Sequence, residues 1–272
     1  MIPTDNSFNM ENPSQKKDTL FLILGGIFIT NAVLAELIGI KIFSLESNLG
    51  LEPANIKLFE GLVLDFNLTA GVLIWPVVFL TTDIINEYFG KKGVRKITFL
   101  AVAMITYAFF MIFIVSRLDP AKFWVDVNAI DNEGNPFNIN YAFSMVYSQG
   151  LGIIIGSLTA FLIAQFLDVY VFQKLRKLTG SRMIWLRATG STLVSQLLDS
   201  FVVLGIAFYI FGGWSLGQVI SVGIINYIYK FVIAIVLTPL LYVAHYFIDN
   251  YLGKEESEKI MEEAAESSQS MF

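Results

Sequence analysis

The feature that most constrains this chain is its set of long apolar runs, because about 18 or more consecutive residues with few charges read as a membrane-crossing helix. Six such stretches stand at residues 19–43, 71–89, 94–116, 141–172, 188–211 and 216–248. At about 1.5 Å per residue, each can cross roughly 30 Å of hydrocarbon. The fourth and sixth exceed that need, so they are expected to tilt or extend into the cytoplasm. Pro76 and Pro239 fall inside the second and sixth and are expected to kink them. Only 15% of the 272 residues are charged, against about 25% in soluble domains. The expected fold class is an all-α polytopic membrane protein with six transmembrane helices.

Orientation follows from the basic residues of the short connections, since cytoplasmic loops are enriched in Lys and Arg. Lys16 and Lys17 precede the first stretch. Lys91, Lys92, Arg95 and Lys96 lie between the second and third, and Lys174, Arg176, Lys177, Arg182 and Arg187 between the fourth and fifth. The other side carries Lys57, Arg117 and Lys122 only. Both termini are therefore expected in the cytoplasm. The chain divides into a cytoplasmic N-terminal segment (1–18), a six-helix transmembrane domain (19–250) and an acidic cytoplasmic tail (251–272). The polar start does not resemble a cleavable signal peptide. Residues 56–68 alternate in polarity and suggest a small extracellular β-hairpin turning near Glu60–Gly61, or else an interfacial loop. Residues 118–140 are rich in turn signals, and the tail reads as a frayed helix followed by disorder.

Ionisable groups inside hydrocarbon are costly, about 2.5–3.5 kcal/mol each on insertion scales, so those present point to function. The first stretch holds Asn31 and Glu36, with Lys41 at its outer end, where it can snorkel to the interface. The second holds Asp83, Asn86 and Glu87, which share one helical face. The fourth holds Gln165 and Asp168, the fifth repeats that spacing with Gln196 and Asp199, and the sixth holds Asn226 and Lys230. Glu36, Asp83, Asp168 and Asp199 thus face one central cation, Lys230. At least one acid must pair with it, and Asp199 is the first choice because both lie near mid-membrane. Singly, Asn31, Asn86 and Asn226 also read as inter-helical hydrogen-bonding glue. The basic loop residues read as topology determinants. Glue is a poor account of acids on so many helices, and a central polar cavity is a better one. Trp75 and Tyr227 lie close enough to the polar faces to stack on a ligand.

Carboxylates, amides and rings together suit a flat heterocycle with several N–H donors. On residue types alone, a nucleobase, a vitamin or a cation stays open. The absence of cysteine and the single His245 leave no thiolate site and no multi-histidine metal site, and no phosphate-binding G-x-x-x-x-G-K-[ST] segment occurs.

Four blocks carry a resemblance: TDIINEYFG at 82–90, QFLDVYVFQKLR at 165–176, STLVSQLLD at 191–199 and NYIYKFVIAIVLTPLLY at 226–242. In order and placement they resemble the signature blocks of the queuosine precursor transporter family, formerly the vitamin uptake transporter family. The resemblance runs over about 20–246. It implies a bacterial inner-membrane importer, not an enzyme, of 7-deazaguanine precursors of the modified tRNA nucleoside queuosine (the cyano or aminomethyl base). It carries the family's polar positions onto Asp83, Asn86, Glu87, Gln165, Asp168, Gln196, Asp199 and Lys230. On this reading Asp168 and Asp199 accept N–H groups from the base edge, and the two Q-x-x-D pairs form facing halves of one site. The expected partners are a small-molecule base and the lipid bilayer, with a homodimer admissible and no nucleic acid, cofactor or metal. Two other classes stand beside it. One is the substrate-binding subunit of an ATPase-energised vitamin importer, which would dock through small residues of the first helix; here only Gly25-Gly26 and Ala32-x-x-Ala35 are on offer. The other is an intramembrane aspartyl protease using Asp83 and Asp199.

Overall fold

Helix α1 (Pro13–Ile38) starts before the apolar run because its first turn is fully capped. The Asn12 side chain accepts from Ser14 N–H, the Gln15 side chain accepts from Asn12 N–H, and Pro13 occupies the first helical position. In this computed structural model, residues 12–59, 62–147, 151–180 and 182–269 are described. The expected first span to residue 43 is too long, since the helix ends at Ile38 and the chain crosses itself there. A Cβ on Gly71 would stand 2.9 Å from Ala35 O and 3.4 Å from Gly39 Cα, so only glycine permits that approach.

The chain then forms β1 (Ile42–Ser44), the single turn α2 (Leu45–Asn48), β2 (Ile56–Phe59), β3 (Leu62–Leu64) and β4 (Asn67–Thr69). β2 and β3 pair antiparallel, Ile56 opposite Leu64, as the alternation suggested, with the turn residues 60 and 61 outside the described residues. The rest of the expected hairpin goes elsewhere, because Asn67–Thr69 pairs antiparallel with β1, Ile42 opposite Thr69. Two ribbons therefore lie at this end of the protein. Glu46 clasps them: its carboxylate accepts from Phe66 N–H at 2.7 Å, Ala54 N–H at 3.3 Å and the Ser44 hydroxyl at 3.1 Å. The Phe66 amide above all, with the other donors, holds the Glu46 carboxyl below the usual range. A carboxyl lowered by folding stabilises above its unfolded value and loses that contribution as pH falls through the folded one. Hydrogen-exchange protection of residues 42–69 will therefore fall below about pH 4, and Glu46→Gln will lose it at neutral pH. Unchanged protection in both cases would rule the clasp out.

Helix α3 (Trp75–Val115) is broken at Gly90, whose φ of 61° and ψ of −169° lie where only glycine is comfortable. Contacts with α6 (Leu151–Thr179) show what the break does. Going up α3, Trp75 meets Phe161, Thr82 meets Gln165, Asn86 meets Gln173 and Glu87 meets Arg176. Beyond the break, Phe99 is back at Phe166, with ring centroids 5.7 Å apart. The chain reverses direction at Gly90. Gly90→Ala is expected to cost about 1–3 kcal/mol and to lower the melting temperature; an unshifted melt would mean that the turn carries no strain.

Helices α4 (Lys122–Val127) and α5 (Ile139–Tyr147) follow. The fourth apolar stretch holds most of α5 and most of α6; residues 148–150 between them lie outside the described residues, and α6 continues past Phe172 to Thr179. Helix α7 (Ile184–Val203) runs into a π-helical turn (Leu204–Ile210), against which Gly156 of α6 packs so closely that a Cβ would stand 2.9 Å from Ala207 N. Helix α8 (Leu216–Leu252) keeps Pro239 within it. Gly253, at φ 90°, turns the chain into α9 (Lys254–Gln269). The tail is no frayed segment up to 269. Ile260 joins the main core, and Lys17 pairs with Glu263 at 3.3 Å. Charge pattern alone hid this docking face.

Five described helices are long and apolar enough to cross a membrane: α1, α3, Ile154–Thr179 of α6, Ile184–Ile210 (α7 with its π turn) and α8. The chain is a multi-pass membrane protein whose core runs through α1, α3, α6 and α8 and is reinforced by α9.

Candidate functional site

Two cavities meet inside the bundle. The first lies toward the basic end marked by Gly90. Its walls carry Trp75, Phe79 and Asp83 of α3, Thr192 of α7, and Tyr229 and Lys230 of α8. Asp83 is 7% exposed, and its Oδ1 has no hydrogen-bond partner among the described residues. The second cavity lies toward the ribbons and is lined by Glu36, Trp75, Asp199, Ser200, Asn226 and Lys230. Trp75 and Lys230 belong to both.

The expected ion pair is present: Lys230 Nζ donates to Asp199 Oδ2 at 2.5 Å. Glu36 accepts from the Ser157 hydroxyl. Behind Asp83, Asp168 accepts from the Ser195 hydroxyl at 3.1 Å. Gln165 Nε2 donates to Thr82 Oγ1 at 2.9 Å, tying α6 to α3 at this level. Gln196 is buried, with Oε1 lacking a partner among the described residues. The two Q-x-x-D pairs therefore serve different places. Asp199 opens on the ribbon-end cavity, while Gln165, Asp168 and Gln196 line neither cavity.

Glu87 and Asn86 sit deeper toward the basic end. Both Glu87 oxygens are held by Arg187, Oε1 at 2.6 Å and Oε2 at 3.0 Å, and Arg176 stands 3.4 Å from Oε1. Asn86 Oδ1 accepts from Gln173 Nε2 at 2.7 Å. Arg176 and Arg187 are not solvated loop charges but buried partners of an acid. Nothing nearby in the sequence signals it, since Glu87 and Arg187 stand 100 positions apart. Beside them, the Tyr88 hydroxyl donates to Asp249 Oδ1 at 2.9 Å and meets His245 Nδ1 at 2.8 Å, and Ser257 of α9 donates to the same Asp249 oxygen. Asn31 Nδ2 donates to its own helix at Ile27 O, 2.8 Å away, and lines neither cavity. Of the two rings expected to stack, Trp75 lies in both cavities, but Tyr229 takes the place given to Tyr227.

Asp83 and Asp199 line different cavities, and Asp199 is bound to a cation. The two acids therefore do not share the one site that an aspartyl protease requires.

Residues 69–244 match the family model described as "Putative vitamin uptake transporter". The "Probable queuosine precursor transporter" of Bacillus subtilis (strain 168) is 30% identical over 200 residues, covering 72% of this chain and 80% of that protein. The protein of the same name from Haemophilus influenzae is 30% identical over 178 residues, covering 63% of this chain and 66% of that one. The "Queuosine precursor transporter" of Escherichia coli (strain K12) is 29% identical over 181 residues, covering 66% and 73%. No solved structure matches. With buried acids around a ring-lined cavity in a multi-pass bundle, and a family match spanning most of it, this chain belongs to the vitamin uptake transporter family.

Proposed function

We propose that this transporter imports 7-deazaguanine precursors of queuosine, the cyano or aminomethyl base, across a bacterial inner membrane. The observation that carries the reading is the buried Asp83 carboxylate with an unpartnered oxygen in a cavity walled by Trp75, Phe79 and Tyr229. A carboxylate accepts two parallel N–H bonds from a guanine-like edge, and flat rings cover its faces. Thr192 and Lys230 supply further hydrogen-bonding groups on the opposite wall. Asp168, Gln165 and Gln196 act from behind, by setting the helices and the field at Asp83. The names of the three relatives support the substrate class.

The reversal at Gly90 lets α3 cross twice, giving six crossings with both termini in the cytoplasm and the ribbons outside. The basic residues flanking Gly90 support that orientation. A free-standing carrier is favoured over an ATPase-docked subunit by the small residues of α1. Ala32 and Ala35 are buried within this chain and Gly25 packs on Ile97, so of these small residues only Gly26 stays exposed, too little for a docking stripe.

The test is uptake. A bacterium unable to make or import queuosine precursors, expressing this protein and given either base, is expected to recover queuosine in its tRNA. No recovery from a well-expressed protein would refute the substrate. Recovery only with a co-expressed ATPase module would favour the subunit reading.

A further inference from the structure

We propose that the ribbon-end cavity is a second binding station for the same class of flat, N–H-bearing heterocycle, divided from the Asp83 cavity by Trp75 and the Lys230–Asp199 pair. The station's ligand rests on the substrate reading above; the division does not.

The geometry has three parts. Trp75, Val72 and Lys230 line both cavities, so a single layer of side chains separates them. The cavities extend toward different ends. One is bounded by Ile42 and Thr69 of the ribbons, and the other reaches Thr238 and Leu241 far down α8. Each also keeps unsatisfied polar groups of its own. In the ribbon-end cavity these are Asn226 Oδ1 and Ser200 Oγ, on residues 6% and 2% exposed, with no hydrogen-bond partner among the described residues.

Buried polar atoms are normally paired, and two unpaired ones lining the same cavity mark a place where a ligand supplies the missing bonds. Asn226 Oδ1 can accept an N–H, the Ser200 hydroxyl can donate to a ring carbonyl or accept, and Asp199 keeps lone pairs beyond the one Lys230 uses. That set matches the donor and acceptor edge of a lactam heterocycle, and the Trp75 side chain stands between the two cavities. Lys230 is placed to be the moving part. Lys230 lines both cavities while its ammonium is held on Asp199, so a ligand competing for Asp199 frees it to turn toward the Asp83 side. Transfer then exchanges one set of hydrogen bonds for another, and no charge is left bare.

The natural absence of cysteine allows a direct test in intact cells and in nanodiscs. Ser200→Cys is expected to react with a membrane-impermeant maleimide only from outside, and Thr192→Cys only in inside-out vesicles. In nanodiscs, radiolabelled aminomethyl deazaguanine is expected to bind wild type at two equivalents per chain. Asn226→Leu and Asp83→Leu should each leave one equivalent. Labelling of both cysteines from the same face would overturn the partition. One equivalent in wild type, abolished by either leucine variant, would overturn the second station. If no deazaguanine binds while the cysteines still label from opposite faces, the substrate reading falls and the partition stands.

Discussion

Glu87→Ala is expected to destabilise this protein by about 3–5 kcal/mol, the usual result of removing one partner from a buried ion network. Glu87 is 2% exposed, and its carboxylate is gripped from two sides by Arg187, itself 1% exposed. Arg176 completes the network and also donates to Glu87 O at 3.2 Å and to Met261 O of α9 at 2.7 Å. Without the carboxylate, two guanidiniums stay buried with only backbone carbonyls, among them Gly180 O and Arg182 O, to receive their protons. Neither can shed its charge, since arginine does not deprotonate in proteins. Because the network ties α3, α6, α7 and α9 together, the loss should appear as a lower melting temperature and as faster proteolysis of α9. Arg187→Ala should cost more than Arg176→Ala, since Arg187 makes the bidentate contact. A melt within a degree or two of wild type would show that the network carries no stability. Transport per folded molecule should change far less than stability, which separates a joint from a ligand contact.

Asp83→Leu should do the opposite. Loss of a charge-assisted hydrogen bond is worth about 1.5–3 kcal/mol, roughly one to two orders of magnitude in Kd for an N–H-bearing base. Stability should hold or rise, because leucine replaces a buried carboxylate whose Oδ1 is unpartnered among the described residues. Binding measured in nanodiscs, beside a melt of the same sample, distinguishes the two effects. Affinity within twofold of wild type would remove Asp83 from the site. A combined loss of affinity and stability would place it in the scaffold with Glu87.

These contrasting outcomes for two acids four residues apart show where sequence reasoning stops. Asp83 and Glu87 share one helical face, and both were legible as costly charges inside hydrocarbon. Their difference lies in what the next helices bring. Arg187 comes from a stretch where a basic residue reads equally well as a topology signal. The choice between Tyr227 and Tyr229 is of the same kind. Two residues along a helix point roughly 200° apart, and the apolar surroundings of α8 do not say which side is inside. The Asp199–Lys230 pair could be named in advance only because one central cation leaves few alternatives.

From the sequence alone it follows that the chain lives in a membrane and which helices carry acids and amides, and the alternating segment beyond α1 suggests strands. Each follows from local, additive terms: apolar length, the cost of a charge in hydrocarbon, and side-chain period. Only the tertiary structure decided that α3 reverses at Gly90, that the tail docks as α9, and that the polar row is split. Asp83 stands in one cavity, Asp199 in another, and Glu87 in neither. Those outcomes depend on contacts between residues some 80 to 160 positions apart, such as Gln165 with Thr82 and Tyr88 with Asp249, and no local term contains them.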